Sequence, residues 1–165
     1  MNEVKSDEFR VEQAADVVWA KLSDLSVAHL YVPGLTGTKV TTENAQGVGA
    51  SRQVFSKRPP MDETVIEWKE GAGMLLRLHH GEKDNWGPFK QVFYRYGMRA
   101  DGDGTILQNS MSFELKGGKL GQVLGGGLIS KAFHKTLNDV TLAQKLYYET
   151  GEQVTPDNLK AAKSS

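Results

Sequence analysis

Arg52 lies two residues after Ala50 and two before Val54, so in an extended segment its guanidinium points where those apolar side chains point. A cation on an apolar face can hold a carboxylate or polarise a carbonyl. It can equally be fixed in an ion pair made for the fold, with Glu63 or Glu67, which come near it if residues 57–60 turn a hairpin. Asn109 interrupts the apolar row formed by Thr105, Leu107, Met111, Phe113 and Leu115. A buried amide needs partners, which are either backbone groups and tyrosine hydroxyls or a ligand or internal water. Tyr94 and Tyr96 share a face with Val92 and Met98, as core aromatics or as a cavity wall with a polar handle. His80 follows Met74, Leu76 and Leu78 at two-residue steps, and it either looks into a cavity or ends a strand near solvent. Trp19 reads as core. The candidates for ligand contact are therefore Arg52, Glu63, His80, Tyr94, Tyr96 and Asn109. In acid–base chemistry Arg52 would polarise a carbonyl while a tyrosine or Glu63 moved a proton, but no acid and base form a recognisable pair.

Other chemistries find little support. There is no GxSxG elbow, HExxH pair or phosphate-binding P-loop, and Gly117-Gly118-Lys119 is followed by Leu120 rather than a hydroxyl residue. Gly47-Val48-Gly49-Ala50-Ser51-Arg52 begins like a dinucleotide fingerprint but ends in arginine and leads into a strand. His79 and His80 are adjacent on a strand and point to opposite faces, so they cannot grip one metal together. Neither a metal nor a cofactor is expected. Cysteine is absent, which removes disulfide and thiolate chemistry and fits a reducing compartment. Twenty basic residues balance twenty acidic ones, and no block of like charge offers a grip to nucleic acid or an anionic membrane. The N-terminal residues have no apolar run, so no signal peptide or membrane span is expected and a cytoplasmic location is the default.

These residues must be positioned by an α+β arrangement. With 165 residues, 39% of them apolar, the chain is expected to form one domain over residues 1–151, followed by a polar tail over 152–165 that frays. Phe9-Arg10-Val11 reads as the end of a first strand, Ala14 to Asp24 as a helix, and Ser26 to Val32 as a second short helix that Pro33 stops. Strands follow near 38–43, 49–55, 63–69, 74–81, 89–99 and 105–115, separated by turn residues such as Arg58-Pro59-Pro60, Asn85-Trp86-Gly87-Pro88 and Asp101-Gly102-Asp103-Gly104. Leu120, Leu124, Leu128, Ala132, Phe133, Leu137, Val140 and Tyr147 recur at helical steps, which predicts one long helix covering the sheet. A curved antiparallel sheet of about seven strands around such a helix leaves room for a ligand cavity between the two. The glycines from Gly117 to Gly127 weaken that helix at one end, so this stretch is expected to be mobile and to gate the cavity with the Pro59-Pro60 turn.

In order along the chain, Phe9-Arg10-Val11, Val18-Trp19, Leu22-Ser23-Asp24, Tyr31-Val32-Pro33-Gly34, the Gly47–Arg52 stretch, Glu63-Thr64-Val65, Ser112-Phe113-Glu114-Leu115 and Tyr148-Glu149-Thr150-Gly151 resemble the START-like (SRPBCC) helix-grip superfamily. Within it the bacterial polyketide cyclase/dehydrase branch is the best match. The resemblance implies a sheet gripping the C-terminal helix around a mostly apolar cavity, used across the superfamily for lipids, sterols, hormones, quinones and aromatic polyketides. It also implies that Arg52, the arginine of the G-x-G-x-x-R stretch, looks into that cavity and that Glu63 matches an acidic position which could accept a hydroxyl or a water. Because the fold implies a cavity while the residues imply no catalytic constellation, the expected function is a carrier or binding protein for a small hydrophobic or aromatic molecule, with a cyclase or dehydratase acting on a cavity-bound polyketide-like substrate, or an accessory protein without a ligand, as the alternatives. The resemblance does not name the ligand. A homodimer stays open.

Overall fold

The computed structural model describes residues 1–84 and 86–165, without the side chains at 122, 124 and 125; Asn85 of the expected turn and Leu124 of the expected stripe thus lie outside the described residues. The strands are β1 (Asn2–Lys5), β2 (Phe9–Val11), β3 (Gly37–Val40), β4 (Ser51–Phe55), β5 (Met61–Lys69), β6 (Gly73–His79), β7 (Phe89–Asp101), β8 (Gly104–Leu107) and β9 (Ser110–Leu115). Helix α1 (Ala15–Leu22) and a 3₁₀ helix (Leu25–Leu30) come after β2, the long helix α2 (Gly118–Thr150) follows β9, and α3 (Pro156–Lys163) comes last. The strands pair antiparallel in the order β1-β9-β7-β6-β5-β4-β3, with β8 joining β7 to β2. This is the expected curved sheet wrapped on a C-terminal helix.

The sheet has nine strands rather than about seven because it creases along one line. The segment 105–115 is two strands, and the break at Gln108-Asn109 sits beside a break between β1 and β2 at Ser6. Across the crease the Ser6 amide donates to the Asn109 carbonyl at 2.8 Å, and the Asn109 amide donates to Ser6 Oγ at 3.0 Å. β7 spans the crease and changes partner there, pairing with β9 up to Arg95 and with β8 from Met98. Gly97 makes the change of partner sterically feasible, since a Cβ at that position would lie 2.6 Å from the Gln108 carbonyl oxygen. The two-residue alternation of side chains runs through the fold line unbroken, which is why the sequence reads as one strand.

The 3₁₀ helix starts where Asp24 accepts the Ser26 amide and ends before Pro33. In α1, Val18, Trp19 and Leu22 are buried against the sheet. Trp19 Nε1 donates to Glu70 at 2.7 Å, and its ring meets Trp68 edge-on, so it is a core residue.

α2 departs from the expected stripe. Leu137, Val140, Thr141, Ala143, Gln144 and Tyr148 are buried, whereas Leu120 and Leu128 are 69% and 79% exposed. From Leu128 to Leu137 is about two and a half turns of an ideal helix, so the two cannot face the same way. The single-residue step at Ala132-Phe133 shifts the face, and only the second half of the stripe covers the sheet. The glycine stretch is helical from Gly118, and the Pro60 carbonyl is bonded by His80 at 2.9 Å. Within the helix Gly121 is required, because a Cβ would lie 2.2 Å from the Lys116 carbonyl, but Gly127 is exposed with nothing within 4 Å. Gly127→Ala is therefore expected to stabilise the protein by about 1 kcal/mol, measured by urea unfolding, and a loss of stability would count against a continuous helix there.

The segment expected to fray forms α3. Thr155 and Asn158 make a capping box, Pro156 occupies the first turn, and Leu159 is buried. The Val154 amide donates to the Leu30 carbonyl at 2.8 Å, which ties this segment back to the 3₁₀ helix. Thr155-Pro156 is a legible helix start in a segment that has lost its apolar stripe.

Candidate functional site

Arg52 on β4 and Glu63 on β5 are directly opposed in register, and the Arg52 side chain reaches the backbone of the 3₁₀ helix at Leu25. Arg52 is 1% exposed, and its guanidinium donates through Nε to Glu63 Oε2 at 2.7 Å and through its two terminal nitrogens to the Leu25 carbonyl at 3.3 Å and to Tyr96 Oη at 3.2 Å. Burial disfavours the charged form, but Glu63, with smaller contributions from Tyr96 and Tyr31, outweighs it and holds Arg52 above its ordinary pKa. Glu67, the other expected partner, pairs instead with Arg95 at 2.9 Å. A guanidinium has five N–H donors, and the three contacts above occupy three of them, leaving two without a described protein acceptor.

Tyr96 and Tyr94 alternate with Arg95 along β7 and face inward, their rings 4.6 Å apart. Tyr31 meets Tyr96 edge-on at 6.3 Å and Tyr148 of α2 at 6.0 Å. Burial, reinforced by the neighbouring Tyr31, pushes the phenols of Tyr94, Tyr96 and Tyr148 well above their ordinary pKa. At neutral pH these groups are proton donors and not bases.

The crease delivers Asn109 to the helix. Its Nδ2 donates to Thr141 Oγ1 at 2.9 Å and to Gln144 Oε1, while Gln144 Nε2 donates to Tyr148 Oη at 3.0 Å. The amide is thus held by helix side chains rather than by backbone or tyrosines. Two atoms are left over: Asn109 Oδ1 and Tyr94 Oη are both buried without a hydrogen-bond partner. The N–H side of the Asn109 amide draws the Tyr94 pKa down somewhat against the effect of burial.

Arg52, Glu63, Tyr94, Tyr96 and Asn109 therefore form one polar line inside an aliphatic core, and α2 extends it with Thr141, Gln144 and Tyr148. Sequence reasoning missed Thr141 and Gln144 because they are polar residues on the face that Leu137 and Val140 mark, and it passed over Tyr148 in favour of Tyr147. His80 does not join the line. β6 ends at His79, and His80 turns to the Pro60 carbonyl and stacks edge-on against Trp86. On the opposite face His79 Nε2 contacts Thr64 Oγ1 at 2.8 Å, and Thr64 contacts Ser51 at 2.6 Å. His79 Nδ1 is held by the Gly81 carbonyl at 2.6 Å. A separate groove of about 1000 Å³ opens between the 3₁₀ helix and its following loop, the β4–β5 turn and α3, and none of the six expected contact residues lines it.

A creased antiparallel sheet closed by one long helix, with a tyrosine-rich polar line between them, defines a helix-grip protein of the START-like class. The chain belongs to the family described as polyketide cyclase / dehydrase and lipid transport, whose profile matches residues 6–143. Solved structures share the fold. A protein from Thermus thermophilus is 16% identical with a TM-score of 0.65, over 89% of this chain and 97% of that one. A START superfamily protein from Mycobacterium smegmatis is 17% identical with a TM-score of 0.54, over 84% of this chain and 96% of that one. The di-domain ARO/CYC BexL from the BE-7585A biosynthetic pathway is 10% identical with a TM-score of 0.66, over 89% of this chain and 47% of that one. Among curated proteins no sequence matches. No described helix is long and apolar enough to cross a membrane.

Proposed function

We propose that the protein binds a small hydrophobic molecule that carries a hydroxyl group, lodged between the sheet and α2, and acts as a carrier or binding protein. The observation that carries this reading is the pair of orphaned atoms, Tyr94 Oη and Asn109 Oδ1. Each unpartnered buried group costs about 1–3 kcal/mol, so a fold that keeps both gains by admitting a group that satisfies them. A hydroxyl can accept from the Tyr94 phenol and donate to Asn109 Oδ1, and the two spare N–H groups of Arg52 suit a carbonyl or carboxylate elsewhere on the same molecule. Family membership supports a hydrophobic ligand of this kind.

Binding is favoured over cyclase or dehydratase chemistry because the polar line lacks a free base. Its phenols are held protonated, Glu63 is engaged by Arg52, and both strand histidines lie off the line. The close packing of Tyr94 on Tyr96 favours the accessory reading, in which side chains fill the space themselves.

Native mass spectrometry of protein taken from cells, with extraction of bound small molecules, separates these readings. A recurring hydroxylated hydrophobic species is expected. Tyr94→Phe should keep the fold at equal or greater stability while retaining about tenfold less of that species, the equivalent of one lost hydrogen bond. Protein without any bound species, or unchanged retention by Tyr94→Phe, would overturn the proposal.

A further inference from the structure

The groove beside α3 has a chemistry of its own. Its volume, about 1000 Å³, is at the upper end of what drug-sized ligands occupy, roughly 300–1,000 Å³. Carbon predominates on its walls, where Val32 and Leu35 of the loop after the 3₁₀ helix meet Val154 and Leu159 of the C-terminal segment. Lys57 and Arg58 of the β4–β5 turn stand on one side and Lys160 of α3 on another, all exposed and none in an ion pair among the described residues. Lys163 also lines the groove but is paired with Asp139. No carboxylate belongs to the lining, although the chain as a whole carries as many acidic as basic residues. An apolar trough bordered by three unpaired cations, with no anion of its own, is complementary to a molecule with a hydrocarbon tail and an anionic head.

We propose that this groove is a second binding site, distinct from the sheet–helix interior, for a free single-chain amphiphilic anion such as a fatty carboxylate. The tail lies along Val32, Leu35, Val154 and Leu159, and the carboxylate is held by Lys57, Arg58 and Lys160. α3 makes the site: the capping box at Thr155 and the bond from Val154 to Leu30 set its wall against the 3₁₀ helix.

The test is titration of the full chain with laurate below its micelle concentration, followed through the methyl NMR signals of Val32, Leu35, Val154 and Leu159. Those signals should shift, while those of Leu76 and Val92 inside the core should not. Dodecanol, with the same tail and no charge, should bind about tenfold more weakly, as should the Lys57→Glu/Arg58→Glu/Lys160→Glu variant, whose changes are all on the surface. Equal binding of dodecanol, wild-type affinity in the triple variant, or shifts confined to the core methyls would overturn the assignment. Core shifts alone would place laurate in the interior and leave the proposal for that site standing. Vesicles of phosphatidylcholine with phosphatidylglycerol distinguish a lipid headgroup from a free amphiphile, and sedimentation with them without any response to laurate would also overturn it.

Discussion

Glu63→Gln is expected to destabilise the protein by about 3–5 kcal/mol, the range for removing one partner of a buried ion pair. The size follows from what remains. Arg52 is fully enclosed, and its other described acceptors are one backbone carbonyl and one phenol, neither of which carries charge. A guanidinium cannot shed its proton to escape the low dielectric, so the uncompensated charge persists in the fold. Urea unfolding at neutral pH measures the effect. Replacing both partners, as Arg52→Met with Glu63→Leu, should recover most of the loss, because the penalty belongs to the lone charge and not to the missing bridge. A loss below about 1 kcal/mol in the single variant would mean that water reaches Arg52 and that the interior is already hydrated.

The second large effect appears in alkali. Tyr94, Tyr96 and Tyr148 have phenol pKa values raised by burial in the folded chain, against an ordinary value near 10 once unfolded. Below pH of about 10 both states keep these protons, and stability does not depend on them. Above it the unfolded chain releases three protons that the folded chain retains, so stability falls with rising pH by about 4 kcal/mol per unit. Against a total of about 5–15 kcal/mol, that slope unfolds the protein within a few pH units. Tyrosinate absorbance and circular dichroism followed together should show these three phenols ionising in one step as the fold is lost. Their ionisation near pH 10 with the fold intact would contradict the burial of the polar line.

Much of this architecture is legible in the amino-acid sequence. Turn residues and two-residue alternation locate the sheet, and the polar exception in an apolar row points to Asn109. Arg52 and Glu63 are legible as a pair because a hairpin over residues 57–60 brings them together whichever role they serve. What stays hidden depends on phase and on tertiary contact. A crease does not disturb alternation, so the division of 105–115 into two strands leaves no mark. Thr141 and Gln144 escape notice because they are polar: they lie on the buried face that Leu137 and Val140 mark, and a search for apolar residues at helical steps passes over them. His80 obeys the alternation of β6, but the strand ends one residue earlier. The groove depends on α3, whose start is written in Thr155-Pro156 but whose docking on the 3₁₀ helix is a contact between distant parts of the chain.

The crease also constrains when the protein can exist. β1 pairs with β9, placing Asn2 opposite Phe113, so the first strand has no partner until residues 110–113 have been made. At synthesis rates of about 5–20 residues per second, that strand spends on the order of 5–20 s without its neighbour. Such an interval invites pairing with the wrong chain, and β1 is suited to it: Glu3 and Lys5 alternate with Asn2 and Val4, so one side of the waiting strand is charged and its only large apolar residue is a single valine.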